Sequence, residues 1–323
     1  MIKGFSIVIC CYNSQNILKD TFNSLIKLSV PDGYGLELIF VDNNSVDDTK
    51  KVIMSFIENY PSFSIKYVNE SNQGLNFARV SGIRSSIFEF IVFCDDDNFL
   101  FPDYLIVLRE CFDVNKKASL IGGYGILKTN SLVPRWFIES DGFGYAVGLN
   151  GRSDGYGNFL NGAGMALKRD VAFKFCNISR SLLLSDRKGE KLSSGGDSEL
   201  CLLVGPEKIY FSSSLKYYHF IQGKRLDLKY FYSLFIQFGK SDSYLLYYKI
   251  YNKDFFLSLK IILYNLIKFS VLFGKYYLFR KDDPVYNSKR LYYKNLILGI
   301  FTKLIFINSF KKRITKNINE FNS

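Results

Sequence analysis

Three consecutive carboxylates, Asp95-Asp96-Asp97, follow the apolar run 88–94 in the segment FCDDDN. Adjacent carboxylates at the end of a buried strand repel one another, and a cation relieves that cost. Mg2+ or Mn2+ bridging a diphosphate supplies the charge. The alternative is a solvated turn in which all three face water. Two further acidic groups stand at element boundaries. Asp42 closes the apolar run 36–41, and Asp197 and Glu199, in GGDSELC, open an apolar helical period over 197–204.

The elements that must hold these groups alternate. Residues 5–11 read as a buried strand, 16–28 as a helix, 36–41 as a strand, 47–59 as a helix, 64–68 as a strand, 74–85 as a helix and 88–94 as a strand. Strand and helix in alternation imply an α/β fold with a mostly parallel, doubly wound sheet. Ligands sit outside the carboxyl ends of such strands, where both the 42–48 and 95–97 clusters fall. Residues 119–170 are rich in Gly, Tyr and Phe without helical period. They hold a further strand at 160–167 and are the expected acceptor side. A polar loop over 181–196 leads into the helix of Asp197, which carboxylates favour as an N-terminal turn whether or not they act chemically.

Composition narrows the classes. The 323 residues carry a formal net charge of +12, unevenly spread: 21 Lys/Arg against 23 Asp/Glu over 1–204, then 21 against 7 over 205–323, or −2 and +14. The basic last third suits anionic lipid, phosphorylated substrate or nucleic acid. Acidic strand ends and the lack of an RNA-binding motif argue against nucleic acid. No lysine-bearing, Gly-rich phosphate loop follows the first strand, which argues against a nucleotidylyltransferase. The six cysteines include no C-x-x-C pair and read as reduced core residues. With one histidine, His219, a zinc site is not expected. The first residues show an apolar run without a cleavage site, so secretion is not indicated.

The order SIVICCYN, IFVDNNSVDDT, NESNQGLNFARVSGI, FCDDDN and GGDSELC resembles the family 2 glycosyltransferases with a GT-A fold, over about residues 5–240. The resemblance implies an inverting enzyme that uses Mn2+ or Mg2+ and a nucleotide-sugar donor. Asp42 would pair with the base, uracil being favoured although guanine fits the same carboxylate. Cys11 and Tyr12 would flank the base, and Arg79 would support the nucleotide or the acidic loop, unless it forms an ordinary surface salt bridge. Asp95 and Asp96 would lie toward the ribose. Asp97 would bind the metal, with His219 approaching the metal or diphosphate and Arg225 following it. Asp197 matches the catalytic base, although Gly196 stands where a Glu often precedes it. Trp136 and Glu199 are acceptor-side candidates. In FLNGAGMALKR, small residues would leave room for the sugar, and Gly164 replaces a frequent Asn. A non-catalytic relative serving as a scaffold is the alternative from another class.

The chain then divides into a GT-A domain over 1–240 and a basic, aromatic-rich helical appendage over 241–323. Lys260, Lys268 and Lys275 recur at seven or eight residues and share a helix face. The longest uncharged stretches, 261–267 and 295–302, fall short of the roughly 20 residues of a spanning helix. An interfacial helix on an anionic membrane is expected, a packing or oligomer surface being the alternative. The implied protein is cytoplasmic and peripheral on the inner face of the cell membrane. Its acceptor is a saccharide or lipid-linked saccharide in surface polysaccharide assembly.

Overall fold

The computed structural model describes residues 1–148, 152–157, 159–184, 195–278 and 282–323. The strands are β1 (Ile2–Cys11), β2 (Gly35–Asp42), β3 (Ser64–Asn69), β4 (Phe88–Asp95), β5 (Asn98–Leu100), β6 (Leu120–Lys128), β7 (Gly155–Tyr156), β8 (Ala166–Lys168) and β9 (Ile209–Phe220). The helices are α1 (Leu18–Leu25), α2 (Thr49–Asn59), α3 (Leu75–Ser85), α4 (Tyr104–Val114), α5 (Arg135–Glu139), α6 (Arg169–Ile178), α7 (Gly196–Val204), α8 (Leu228–Tyr248), α9 (Phe255–Leu278), α10 (Pro284–Lys303) and α11 (Ile307–Asn322).

All strands join one sheet in the order β3-β2-β1-β4-β8-β6-β9-β5, with β7 also paired to β9. The βαβ half, β3-β2-β1-β4, is wholly parallel. Beyond it β8 runs antiparallel to both β4 and β6. Alternate residues of the parallel strands enter opposite layers, as the pleat requires. Ile7, Ile9, Leu38 and Phe40 pack beneath α1, α2 and α4, whereas Val8, Ile39, Val41 and Phe93 pack toward α3 and α6. Burial on both faces is why these strands read as continuous apolar runs.

Three expectations change. The strand expected at 160–167 is only Ala166–Lys168, because Gly164 takes φ +64° and the Met165 amide closes a turn on the Gly162 carbonyl. The expected division at 240/241 falls inside α8, and one hydrophobic cluster joins Val8, Ile39 and Phe93 to Leu246, Ile262, Ile300, Ile314 and Phe321. Finally, α9 is long and apolar enough, by length and composition, to cross a membrane, with a mean hydropathy of 1.7 over its most apolar window. Counting uncharged stretches missed this because its lysines are few and widely spaced. Its inward face, Ser258, Ile262 and Leu266, is buried, while Ile267 and Val271 are each 67% exposed. Of the polar loop expected over 181–196, residues 185–194 lie outside the described residues.

Candidate active site

The carboxyl ends of β1, β2 and β4 stand side by side, with Cys11 opposite Asp42 and Cys10 opposite Asp95. Above them opens a cleft of about 1140 Å³, lined among others by Tyr12, Arg79, Asp95, Asp97, Asp197 and His219. Asp42 is buried under this edge. It accepts from the Ser45 amide at 3.0 Å and the Tyr67 hydroxyl at 3.1 Å. Burial and the Asp42 charge push the Tyr67 phenol up to about 12, so it stays a donor. Asn43, which the sequence reading passed over, lines the cleft and fixes the approach to α3. Its side chain donates to the Glu70 and Asn72 carbonyls and accepts from the Gly74 amide.

The three aspartates have separate surroundings. Asp96 turns to the loop after β1, where the Tyr12 amide donates to it at 3.3 Å and the Ser14 hydroxyl also donates. Burial, with Asp97 adding to it, still raises its carboxyl to about 7. Asp95 is likewise raised by burial and by Asp97, against the opposing charges of Arg79 and His219. Asp97 is paired with Arg225 at 2.9 Å and lies 3.4 Å from His219 Nε2. β5 and β9 set this contact, since their pairing puts Asn98, the residue after Asp97, opposite His219. Arg225, placed only loosely by the sequence, is thus a direct partner of the acidic triplet.

These residues fit a divalent cation held jointly with a ligand's phosphates. Asp97 offers hard oxygens, His219 Nδ1 is buried with no hydrogen-bond partner among the described residues, and burial and Asp97 raise both Asp95 and Asp96, a cost that a cation would relieve. They do not form an all-protein cage, for no group of three or more His, Cys, Asp or Glu side chains gathers as a metal site among the described residues.

Across the cleft, α7 follows Gly195, whose φ of +113° favours glycine, and carries Asp197 in its first turn. The Asp197 carboxylate pairs with Arg79 at 2.6 Å and accepts from the Gly162 amide at 2.7 Å. Arg79 is 3% exposed and lies over the Phe93 ring at 4.9 Å. It is therefore a buried ion-pair partner of Asp197, not a surface salt bridge. A Cβ at Gly162 would come within 2.2 Å of the Arg79 guanidinium and 2.5 Å of the Asp197 carboxylate. The room left by small residues in FLNGAG thus serves this pair. A carboxylate has about four acceptor sites, and these two contacts leave capacity for an acceptor proton.

Two acceptor-side expectations are corrected. Glu199 does not line the cleft. It is fully buried and accepts from the Leu183 amide at 2.7 Å, the Leu184 amide at 2.8 Å and the Tyr248 hydroxyl, tying α7 to α8. Trp136 is 7% exposed and stacks on Phe231 at 4.3 Å within a core cluster, so its ring faces are covered by protein. None of the six cysteines is paired with another; Cys11, Cys94, Cys176 and Cys201 are buried as core residues, whereas Cys10 and Cys111 are half-buried.

An open α/β sheet with an acidic cleft at its carboxyl edge is the GT-A arrangement. The glycosyl transferase family 2 profile matches residues 6–172, about half of the chain, and the chain belongs to that family. It is similar to the poly-beta-1,6-N-acetyl-D-glucosamine synthase of Staphylococcus epidermidis, with 27% identity over 133 residues, 41% of this chain but 31% of that protein. The chain thus spans about a third of that relative's length. Two solved structures share the fold. One is S. aureus TarS 1-349 in complex with UDP-GlcNAc, with TM-score 0.52 and 14% identity over 98% of this chain and 89% of that one. The other is the mannosyltransferase PcManGT from Pyrobaculum calidifontis in complex with GDP-Man and Mn2+, with TM-score 0.55 and 12% identity over 98% and 86%.

Proposed function

We propose that the chain is an inverting glycosyltransferase that moves a sugar from a nucleoside diphosphate sugar to an acceptor hydroxyl, with Asp197 as general base. The observation that carries this reading is a cleft-lining carboxylate, oriented by Arg79 and the Gly162 amide, facing an acidic strand edge across one cleft. Asp197 takes the acceptor's proton while the acceptor oxygen forms its bond to the anomeric carbon. The bond to the diphosphate breaks on the opposite side and its electron pair leaves with the phosphate oxygen. One displacement of this kind inverts the centre.

Asp42 accepts from the base, Cys11 and Tyr12 flank it, and Asp95 lies toward the ribose while Asp96 holds the Tyr12–Ser14 turn. Asp97 and His219 would hold Mn2+ or Mg2+ with the diphosphate, where the metal neutralises the leaving group's charge. A UDP-sugar is favoured, in keeping with UDP-GlcNAc in the TarS complex. The S. epidermidis relative's name supports a role in polysaccharide assembly. The basic C-terminal helices support a peripheral position on an anionic membrane at the cytoplasmic side. Lys260, Lys268 and Lys275 are exposed along α9 and the buried inner face of that helix keeps it packed on the domain.

Asp197→Asn tests the assignment. Turnover should fall by roughly 10²–10⁴ with donor affinity nearly intact, and NMR of the wild-type product should show the inverted anomer. Near-normal turnover in the variant, or a retained anomer, overturns it. Nucleotide-sugar binding should be lost in excess chelator, and flotation with anionic liposomes should weaken with salt and exceed that with neutral ones.

A further inference from the structure

The two side chains assigned to a metal already share a cation. Arg225 Nη1 stands 2.9 Å from Asp97 Oδ2 and 3.5 Å from His219 Nε2, while His219 Nε2 lies 3.4 Å from Asp97 Oδ1. The guanidinium thus sits where Asp97 and His219 converge. Its main chain is fixed in the turn Gly223–Leu226: the Arg225 amide donates to the Gln222 carbonyl at 2.8 Å, and the Arg225 carbonyl accepts from the Tyr145 hydroxyl at 2.8 Å. The head group is less fully satisfied. Arg225 Nε is buried and has no hydrogen-bond partner among the described residues. A buried unpaired N–H is costly, and a phosphate oxygen is a strong acceptor for it.

Charge separates a permanent ion pair from a provisional one. In the empty cleft the Arg225 guanidinium offsets one carboxylate of the triplet, and Arg79 is committed to Asp197. A diphosphate brings about two further negative charges to the three aspartates, more than Arg225 alone can offset. A divalent cation can offset them, but beside Asp97 it meets the like charge of Arg225. Resting on the transfer reading above, we propose that Arg225 is a stand-in cation that keeps metal off Asp97 until a donor diphosphate draws its guanidinium away. Metal and nucleotide are then taken up together, and free metal binds poorly. By linkage each ligand tightens the other by the same factor, and Arg225 sets a large part of that factor.

The test titrates the full-length protein with Mn2+, alone and with saturating UDP, and follows the free ion by EPR after correction for the complex formed in buffer. UDP should tighten Mn2+ about 100-fold in the wild type. Arg225→Gln should bind Mn2+ alone at least about tenfold more tightly than the wild type, and its coupling to UDP should fall below about tenfold. Lys224→Gln removes an equal charge from the exposed neighbouring position and should match the wild type. Mn2+ alone should raise the Tm of Arg225→Gln clearly and that of the wild type hardly at all. Arg225→Met, which keeps the apolar stem, should behave as Arg225→Gln does and replaces it if the amide variant does not fold.

Mn2+ bound alone no more tightly by either variant than by the wild type, or an equal gain in Lys224→Gln, would overturn the inference. Strong coupling that survives Arg225→Gln and Arg225→Met sinks this inference alone. A wild type that binds UDP no better with Mn2+ than in chelator sinks the metal-dependent reading beneath it.

Discussion

The two faces of α7 carry carboxylates two residues apart and place them in opposite settings. Toward the cleft, Asp197 keeps about a quarter of its side chain exposed and is held by one guanidinium and one amide. Toward the core, Glu199 is fully buried and takes two amides and a phenol. Two residues along a helix turn a side chain by about 200°. The contrast teaches that acidity near a catalytic loop does not mark chemistry. What matters is whether the carboxylate's remaining acceptor capacity faces a ligand or a neighbouring backbone.

The largest effect that would break this comparison is on stability. Glu199→Ala strands three buried donors, and a loss of roughly 3–5 kcal/mol is expected in urea unfolding. Turnover per folded molecule should be nearly unchanged; a selective loss of turnover in a stable variant would return Glu199 to the acceptor side. Next comes Gly162→Ala. Its methyl must displace Arg79 or Asp197, and a misplaced base is expected to lower kcat about 10²-fold with donor affinity retained. Wild-type kcat would show that the Arg79–Asp197 geometry is not what matters.

A smaller effect separates the faces by pH. Burial raises the Glu199 carboxyl above its ordinary value despite Tyr248, the two amides and Arg313. The folded state therefore binds this proton more tightly than the unfolded one. The resulting stability is fully present below the ordinary carboxylate range and is lost as pH rises through the raised value. The wild type should thus lose stability relative to Glu199→Gln as pH climbs above the ordinary carboxylate range. A gap between the two that is constant over that window would contradict the burial argument. Smallest of all, Trp136→Phe should cost about 1 kcal/mol in stability and leave the acceptor KM alone, since protein covers both ring faces. A raised KM would restore the indole to the acceptor side.

How far the sequence could be read follows from the range of the interactions. Strands β1 to β4 and helices α1 to α3 lie within three residues of their expected bounds, because each is written in a local apolar period. So is the placement of Asp42 and Asp95–Asp97 at one edge, which follows from strand ends alone. The Arg79–Asp197 pair is 118 residues apart in the chain, and no local pattern announces it. The sequence sets Asp96 beside Asp95 toward the ribose, whereas the fold turns it to Ser14. Trp136 and Glu199 misled because a residue type that suits sugars or protons equally suits a core. The boundary at 240 failed because composition changes there while the helical period does not.

Helix α8 and the cluster that joins Val8 to Ile300, Ile314 and Phe321 also bear on synthesis. The βαβ half leaves the ribosome first, with every strand of its parallel sheet in hand. Yet one layer of that sheet's core is completed by side chains some 300 positions downstream, and until they emerge it faces solvent or a chaperone. The nascent chain therefore carries a nearly formed nucleotide edge backed by an open apolar layer, and the helices that close this layer also bear the exposed face of α9. Closing the fold and presenting the exposed apolar face of α9 therefore become one event.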